Sequence, residues 1–272
     1  MSATIRPHRV TCAHGEIAWR EAGSGPALVL LHGIGSCAQS WAAQLTDFAP
    51  SHRVLSWDAP GYGGSAPLPM AQPQAADYAA ALADWLQRIE VRSLALVGHS
   101  LGALMAGAYA ASTPSGLEAL VLASPARGYA MASAEARDAK WRERVTGLER
   151  LGLPAFAAER APRLCAPGTA PELVAQVRDN MLQITPGGYA QAAWMLSNDD
   201  LLDHLRRVKL RSTVLCGTLD TVTPLAACET IAAAVNAPCR ALPGVGHACY
   251  VENAAQFNAA LRGALAEVTS YG

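Results

Sequence analysis

A serine between two glycines has the setting in this chain that points most directly to chemistry. Ser100 is the centre of a Gly-x-Ser-x-Gly pentapeptide, which follows a short apolar run and opens a pattern of small residues with helical spacing at 101–111. In a tight strand-to-helix turn the backbone holds such a serine exposed and strained, so that its hydroxyl can attack a carbonyl carbon. Gly98 and Gly102 leave the room that this turn needs. The pattern predicts a nucleophilic serine.

Two further residues supply the groups that a nucleophilic serine requires. Asp220 ends an apolar run typical of a strand, and His247 ends a loop shortly before a helical pattern. Functional groups of α/β sheets collect on loops that follow strands, so both side chains are expected near Ser100. Alone, Asp220 would be better explained as a helix cap, and His247 equally well as a structural histidine. Together they predict a catalytic triad in the chain order serine, acid, histidine.

A glycine-rich loop upstream provides a candidate for stabilising negative charge on oxygen. The sequence His32-Gly33-Ile34-Gly35 follows a buried apolar run at 27–31. A tetrahedral intermediate needs backbone donors aimed at its developing oxyanion. We predict that these donors are the amides of Ile34 and Leu101, the second of which directly follows the nucleophile at a helix N-terminus. By itself, the loop would be better explained as an ordinary turn.

Length and composition suit one large domain with an insertion. The chain has 272 residues, 51% of them hydrophobic, and a formal net charge of −1. A core of that size is ample, and the near-neutral charge favours neither nucleic acid nor an anionic membrane surface as a partner. The N-terminal residues lack an apolar signal segment, and no apolar run approaches membrane-spanning length. We therefore expect a soluble cytoplasmic protein that acts on a small molecule, in an oligomeric state that the sequence leaves open.

The cysteines give no sign of a disulfide framework or a metal site. There are seven, scattered without a Cys-x-x-Cys pair. An odd, unpatterned set without a secretion signal indicates free thiols, most of them buried. Cys37 and Cys249 lie close in sequence to the glycine-rich loop and to His247, but we assign neither a catalytic role.

Strand-like and helix-like segments alternate along the chain except in its middle. The alternation runs from about residue 8 to 122 and resumes at 213, which predicts an α/β fold with a mostly parallel sheet between helices. The intervening segment has only helical periodicity, with Pro and Gly breaks. We therefore predict a core in two parts, 1–126 and 206–272, and a helical cap at 127–205. Such a cap shapes the pocket and excludes water.

Several cap residues are candidates for contacts with a substrate. Trp141 and Trp194, with Tyr189 and Met195, are predicted as pocket walls, and Arg127 follows a strand closely enough to lie at the mouth of the site. A guanidinium there would bind a substrate carboxylate with two hydrogen bonds. The alternatives are that the aromatic residues fill the cap–core interface, and that Arg127 is solvated or paired with an acidic side chain.

Together with an Asp-x-Pro-Gly-x-Gly-x-Ser turn at 58–65, these motifs make nearly the whole chain resemble the α/β-hydrolase superfamily. Shorter matches are similar to the 3-oxoadipate enol-lactonase and carboxylesterase group: Ala126-Arg127-Gly128, Trp141 with Arg144, a turn at 185–190, and Val222-Thr223-Pro224. The chain differs from that group in its His32-Gly33 loop and at 160–167.

The resemblance implies an α/β-hydrolase fold with a helical cap. It also implies hydrolysis of a small carboxylic ester or lactone through an acyl-enzyme, with no metal or organic cofactor. In the enol-lactonase group the ring ester carries a carboxylate, which would give Arg127 or Arg144 a ligand.

Two alternatives from the same superfamily remain open at this point. It also contains carbon–carbon bond hydrolases of ring-cleavage diketones, and receptors that bind a small ligand without turning it over. The fold alone excludes neither. A receptor normally needs a partner surface, and no apolar segment of this sequence demands one. The sequence thus favours ester or lactone hydrolysis.

Overall fold

Eight strands form one sheet in the order β1-β2-β4-β3-β5-β6-β7-β8. The computed structural model describes residues 4–112 and 114–269, so residues 1–3, 113 and 270–272 of the predicted core lie outside the described part. The strands are β1 Arg6–Cys12, β2 Gly15–Ala22, β3 Ala27–Leu31, β4 Arg53–Trp57, β5 Leu94–His99, β6 Leu117–Ala123, β7 Ser212–Gly217 and β8 Cys239–Leu242.

The direction of the strands follows from how they are connected. β1 and β2 form an antiparallel hairpin, and β2 also pairs antiparallel with β4. All the other neighbouring strands are parallel, because a helix lies between successive strands. The predicted α/β fold with a mostly parallel sheet is confirmed.

Helices cover both faces of the sheet. In chain order they are α1 Ala42–Phe48, α2 Ala75–Arg88, α3 Leu101–Ala111, α4 Ala134–Leu151, α5 Leu153–Arg160, α6 Pro171–Met181, α7 Pro186–Asn198, α8 Leu201–Leu205, α9 Leu225–Ala234, α10 Cys249–Glu252 and α11 Ala254–Thr269. Successive strand side chains point to opposite faces. On β3, Val29 therefore packs in the cluster with α2, α3 and α9, whereas Leu28 packs in the cluster with α1 and α11.

Five helices, α4 to α8, lie between β6 and β7, where the sequence predicts a cap. We call this segment, residues 127–205, the insertion. The helical periodicity predicted for this segment is thus observed, and Pro154 does not interrupt it, because proline is well tolerated in the first turn of a helix, here α5. The segment is joined to the core by hydrogen bonds such as the one from the Gly63 N–H to the Gln183 carbonyl oxygen at 3.0 Å. The boundaries at 127 and 205 stay predictions.

The remaining global features concern membranes and thiols. Within the described ranges, no helix combines the length and the apolar composition that crossing a bilayer requires. All seven cysteines are free thiols, five of them buried.

Candidate active site

Ser100 lies at the turn between β5 and α3, on a strained backbone. Its φ of 53° and ψ of −115° form a conformation that costs a non-glycine residue about 1–3 kcal/mol. A Cβ on Gly98 would lie 2.4 Å from the Gly102 carbonyl oxygen, and one on Gly102 would lie 2.5 Å from that of Leu31. Only glycine at both positions lets strand and helix approach this closely. The turn therefore presents the Ser100 side chain at the carboxyl edge of the sheet.

The three residues of the predicted triad are brought together. Ser100 Oγ lies 2.9 Å from His247 Nε2, and His247 Nδ1 lies 2.9 Å from Asp220 Oδ2. All three residues are between 4% and 5% exposed. An ionised carboxylate can only accept a hydrogen bond, so Asp220 selects the tautomer with the proton on Nδ1. The lone pair on Nε2 then faces the Ser100 hydroxyl.

Asp220 is held ionised by the groups around it. Its Oδ1 accepts the backbone N–H groups of Val222 and Thr223, each at 2.8 Å, and the Thr223 hydroxyl donates to Oδ2 at 2.9 Å. Burial raises the pKa of Asp220, but the hydrogen bond and charge of His247 and the Thr223 amide outweigh it and hold that pKa at about 2. The carboxylate can therefore orient His247 without taking its proton.

The depressed pKa of Asp220 predicts a pH dependence of stability. Its unfolded-state pKa is about 3.9, so the stabilisation is fully present above about pH 5 and is lost as the pH falls through about 4 towards about 2. Lowering the pKa of Asp220 from about 3.9 to about 2 corresponds to on the order of 3 kcal/mol of stability. Urea unfolding of wild type and Asp220→Asn across this range should show their difference in unfolding free energy shrinking by that amount. A difference independent of pH would contradict the prediction.

Two side chains hold the loop that carries His247. Burial and the charge of His247 lower the pKa of His99 to about 3, so the neutral ring donates from Nε2 to the His247 carbonyl oxygen at 2.8 Å. Glu252 accepts the amides of Gly246 at 3.0 Å and Ala166 at 2.7 Å, which ties this loop to the insertion. The sequence analysis does not predict these three contacts. His99 occupies a variable position of the Gly-x-Ser-x-Gly pentapeptide, Glu252 belongs to no motif, and two of the three contacts join residues that are 148 and 86 positions apart.

The glycine-rich loop lies directly beside the nucleophile. A Cβ on Gly33 would lie 2.9 Å from that of Ser100. His32 is buried, and burial lowers its pKa. Its Nε2 accepts the Ala59 amide at 3.0 Å, so Nδ1 carries the proton and donates to the Gly33 carbonyl oxygen at 2.9 Å. That carbonyl and the N–H of Ile34 belong to one planar peptide unit, so His32 fixes the direction of the Ile34 amide.

A cavity of about 220 Å³ opens above Ser100 and His247. Its floor includes Ile34, and one side is formed by the segment around Thr223 and Pro224. The walls from the insertion are mainly aromatic and apolar but include three arginines: Arg127, Gly128, Tyr129, Arg144, Phe156, Arg160, Leu164, Met181, Tyr189 and Leu196. Of the predicted wall residues, Tyr189 lines the cavity.

Trp141 and Trp194, which were predicted as pocket walls, do not line this cavity. Their rings contact each other edge to face between α4 and α7, with centroids 5.6 Å apart, and Trp141 Nε1 donates to the Ala190 carbonyl oxygen at 3.2 Å. Met195, which is fully buried, does not line the cavity either. The prediction that these residues form pocket walls is therefore corrected, because they pack inside the insertion.

Arg127 lines the cavity, but its guanidinium is already paired. Its Nε and Nη2 donate to the two oxygens of Asp200 at 3.0 and 2.9 Å, and the Asp200 side chain is only 1% exposed. The fork expected for a substrate carboxylate is thus occupied by a carboxylate of the chain, which corrects the prediction. The structure agrees with the alternative that Arg127 is paired with an acidic side chain.

This pairing changes what Arg127→Ala should do. The variant leaves the Asp200 carboxylate buried without its partner, which we expect to lower the free energy of unfolding by about 1–3 kcal/mol. kcat/KM should fall equally for neutral and anionic esters. Urea unfolding and both assays check this. Adding Asp200→Asn should recover part of the lost stability, because it removes the unpaired charge. A loss of kcat/KM confined to anionic esters would instead show that Arg127 binds a carboxylate of the substrate.

Comparisons with known proteins agree with this geometry. The model of the Alpha/beta hydrolase family matches residues 28–260. The chain is 25% identical to 3-oxoadipate enol-lactonase 2 of Acinetobacter baylyi over 204 residues, 74% of each chain. It is 36% identical over 107 residues to an uncharacterized protein of Mycobacterium tuberculosis, a match that covers 39% of this chain and spans only 31% of that relative's length.

Among solved structures, an esterase of Thermogutta terrifontis with malate bound is 27% identical and matches with a TM-score of 0.85. The match covers 97% of this chain and 99% of the esterase. The family model spans most of the chain, including Ser100, Asp220 and His247. This protein belongs to the α/β-hydrolase family.

Proposed function

We propose that the protein hydrolyses a small carboxylic ester or lactone through an acyl-enzyme on Ser100. The observation that carries the proposal is the hydrogen-bonded chain from Ser100 through His247 to Asp220, at the floor of a cavity of about 220 Å³. Relatives named as an enol-lactonase and an esterase support an ester or lactone substrate. The size of the cavity suits a small one.

The first chemical step is attack on the carbonyl carbon. The Ser100 proton passes to His247 Nε2 as Oγ forms the new bond, and the imidazolium is stabilised by the Asp220 carboxylate. His247 then gives the proton to the leaving oxygen. Water attacks the resulting acyl-enzyme, with His247 again as base, and releases the carboxylic acid and free Ser100.

Two backbone amides stabilise the oxyanion in both steps. Leu101 is the first residue of α3, so its N–H has no acceptor within the helix and is available to a ligand. The Ile34 amide belongs to the peptide that His32 orients. The loss of one such donor typically raises the barrier by about 3 kcal/mol.

A panel of three substrate classes tests the proposal against its alternatives. Aryl esters, lactones and vinylogous diketones are assayed by absorbance, and an aryl fluorophosphonate probes Ser100 by intact mass. We expect turnover of esters or lactones only, with one phosphonyl group added to wild type and none to Ser100→Ala. Turnover confined to diketones would mean a carbon–carbon bond hydrolase. Binding without turnover or labelling would mean a receptor.

A further inference from the structure

Two arginines of the insertion line the cavity without acidic partners. Arg144 on α4 and Arg160 at the end of α5 are both half-buried. Their neighbours on the outer faces are paired: Arg142 lies 2.8 Å from Asp138, and Arg163 lies 2.7 Å from a glutamate one turn earlier. Within residues 4–112 and 114–269, neither cavity arginine forms such an ion pair.

Aromatic rings support both guanidinium groups. The Arg144 Cζ lies 5.7 Å from the centroid of Tyr129, and the Arg160 Cζ lies 5.1 Å from that of Phe156. A guanidinium over an aromatic face is held in place and keeps its outer N–H donors available. The Arg144 Nη1 donates a long hydrogen bond of 3.4 Å to the Lys140 carbonyl oxygen, and its Nε is buried without a hydrogen-bond partner in the described part of the chain.

Tyr189 lines the same cavity as both arginines. It is 1% exposed, and no acceptor for its hydroxyl is found among the described residues. Burial raises the pKa of Tyr189, and the charges of Arg160 and Arg144 oppose that rise. The charge of Glu143 also raises the pKa of Tyr189, but the Glu143 side chain is 72% exposed and lies 3.9 Å from Lys140.

We propose that Arg144, Arg160 and Tyr189 form an anion subsite that binds a carboxylate of the substrate. The inference rests on the proposed function and narrows it to esters or lactones that carry a carboxylate group. A planar carboxylate matches the guanidinium fork and accepts the donors that the insertion leaves unpaired. Arg127 does not compete for this ligand, because Asp200 occupies its fork.

The test compares two esters of similar length that differ in charge: 4-nitrophenyl hemiglutarate and 4-nitrophenyl valerate. We expect wild type to prefer the hemiglutarate. Arg144→Gln and Arg160→Gln should each lower the ratio of the two kcat/KM values by about tenfold to a hundredfold, and Tyr189→Phe by less. Arg142→Gln, on the exposed face of the same helix, should leave the ratio unchanged. An equal loss on both esters would make the arginines structural and overturn the subsite.

Direct binding separates the subsite from the chemistry. Glutarate is titrated by calorimetry into wild type, Arg142→Gln and the two cavity variants. We expect binding to wild type and to Arg142→Gln, weakened at least about tenfold by each cavity substitution. If wild type hydrolyses valerate but neither prefers hemiglutarate nor binds glutarate, the subsite fails and the proposed function stands. If glutarate binds through the arginines but no ester is turned over, the proposed function fails and the anion site stands.

Discussion

Replacing Ser100 by alanine is expected to lower kcat for ester hydrolysis by about a millionfold, while the protein stays folded. The hydroxyl is the group of this residue that is hydrogen-bonded to His247 Nε2 and that would carry the acyl group, so its loss removes the acyl-enzyme route. The backbone strain at φ 53° is the same for alanine, and the turn remains fixed by its glycines. Stopped-flow or plate assays with 4-nitrophenyl acetate give kcat, and thermal unfolding by circular dichroism reports the fold.

Ser112→Ala is the matched control for this variant. Ser112 caps the other end of the same helix, and its hydroxyl donates to the Tyr109 carbonyl oxygen at 2.7 Å, away from the cavity. This variant should keep its activity. If Ser100→Ala retained turnover close to that of wild type on every ester, the nucleophile would have to be another residue.

Asp220→Asn is expected to lower kcat by about ten thousandfold in a folded protein. The reason lies in the two oxygens of the acid. The Oδ1 position accepts two backbone N–H groups, so an asparagine must place its carbonyl oxygen there. Its NH2 group then faces His247 Nδ1, which becomes an acceptor. The proton moves to Nε2, and the histidine can no longer take one from Ser100.

The measurement is kcat on the ester that wild type turns over best, with Asp203→Asn as the control. Asp203 is 62% exposed and pairs with Arg206 on the surface, so its substitution should leave kcat near that of wild type. Unchanged activity in Asp220→Asn would place the acid elsewhere in the chain. A fall in Asp203→Asn as large as in Asp220→Asn would show that the effect is not specific to the site.

Local sequence patterns are enough to predict the order of strands and helices and the arrangement around Ser100. Apolar runs such as 27–31 become buried parallel strands because only strands covered on both faces tolerate continuous hydrophobicity. The elbow is equally local, since Gly98, Ser100 and Gly102 act within one turn. Asp220 and His247 follow because residues after parallel strands meet at one edge of the sheet.

The pairing of polar groups inside the insertion depends on how its helices pack, and the sequence patterns do not predict it. Arg127 and Asp200 are 73 residues apart, and their pairing depends on how the start of α8 lies beside the segment that follows β6. The same packing leaves Arg144 and Arg160 facing the cavity while Arg142 and Arg163 meet carboxylates on the outer faces. Helical periodicity records which face of a helix is buried, but it does not record which side chain of a distant helix lies opposite.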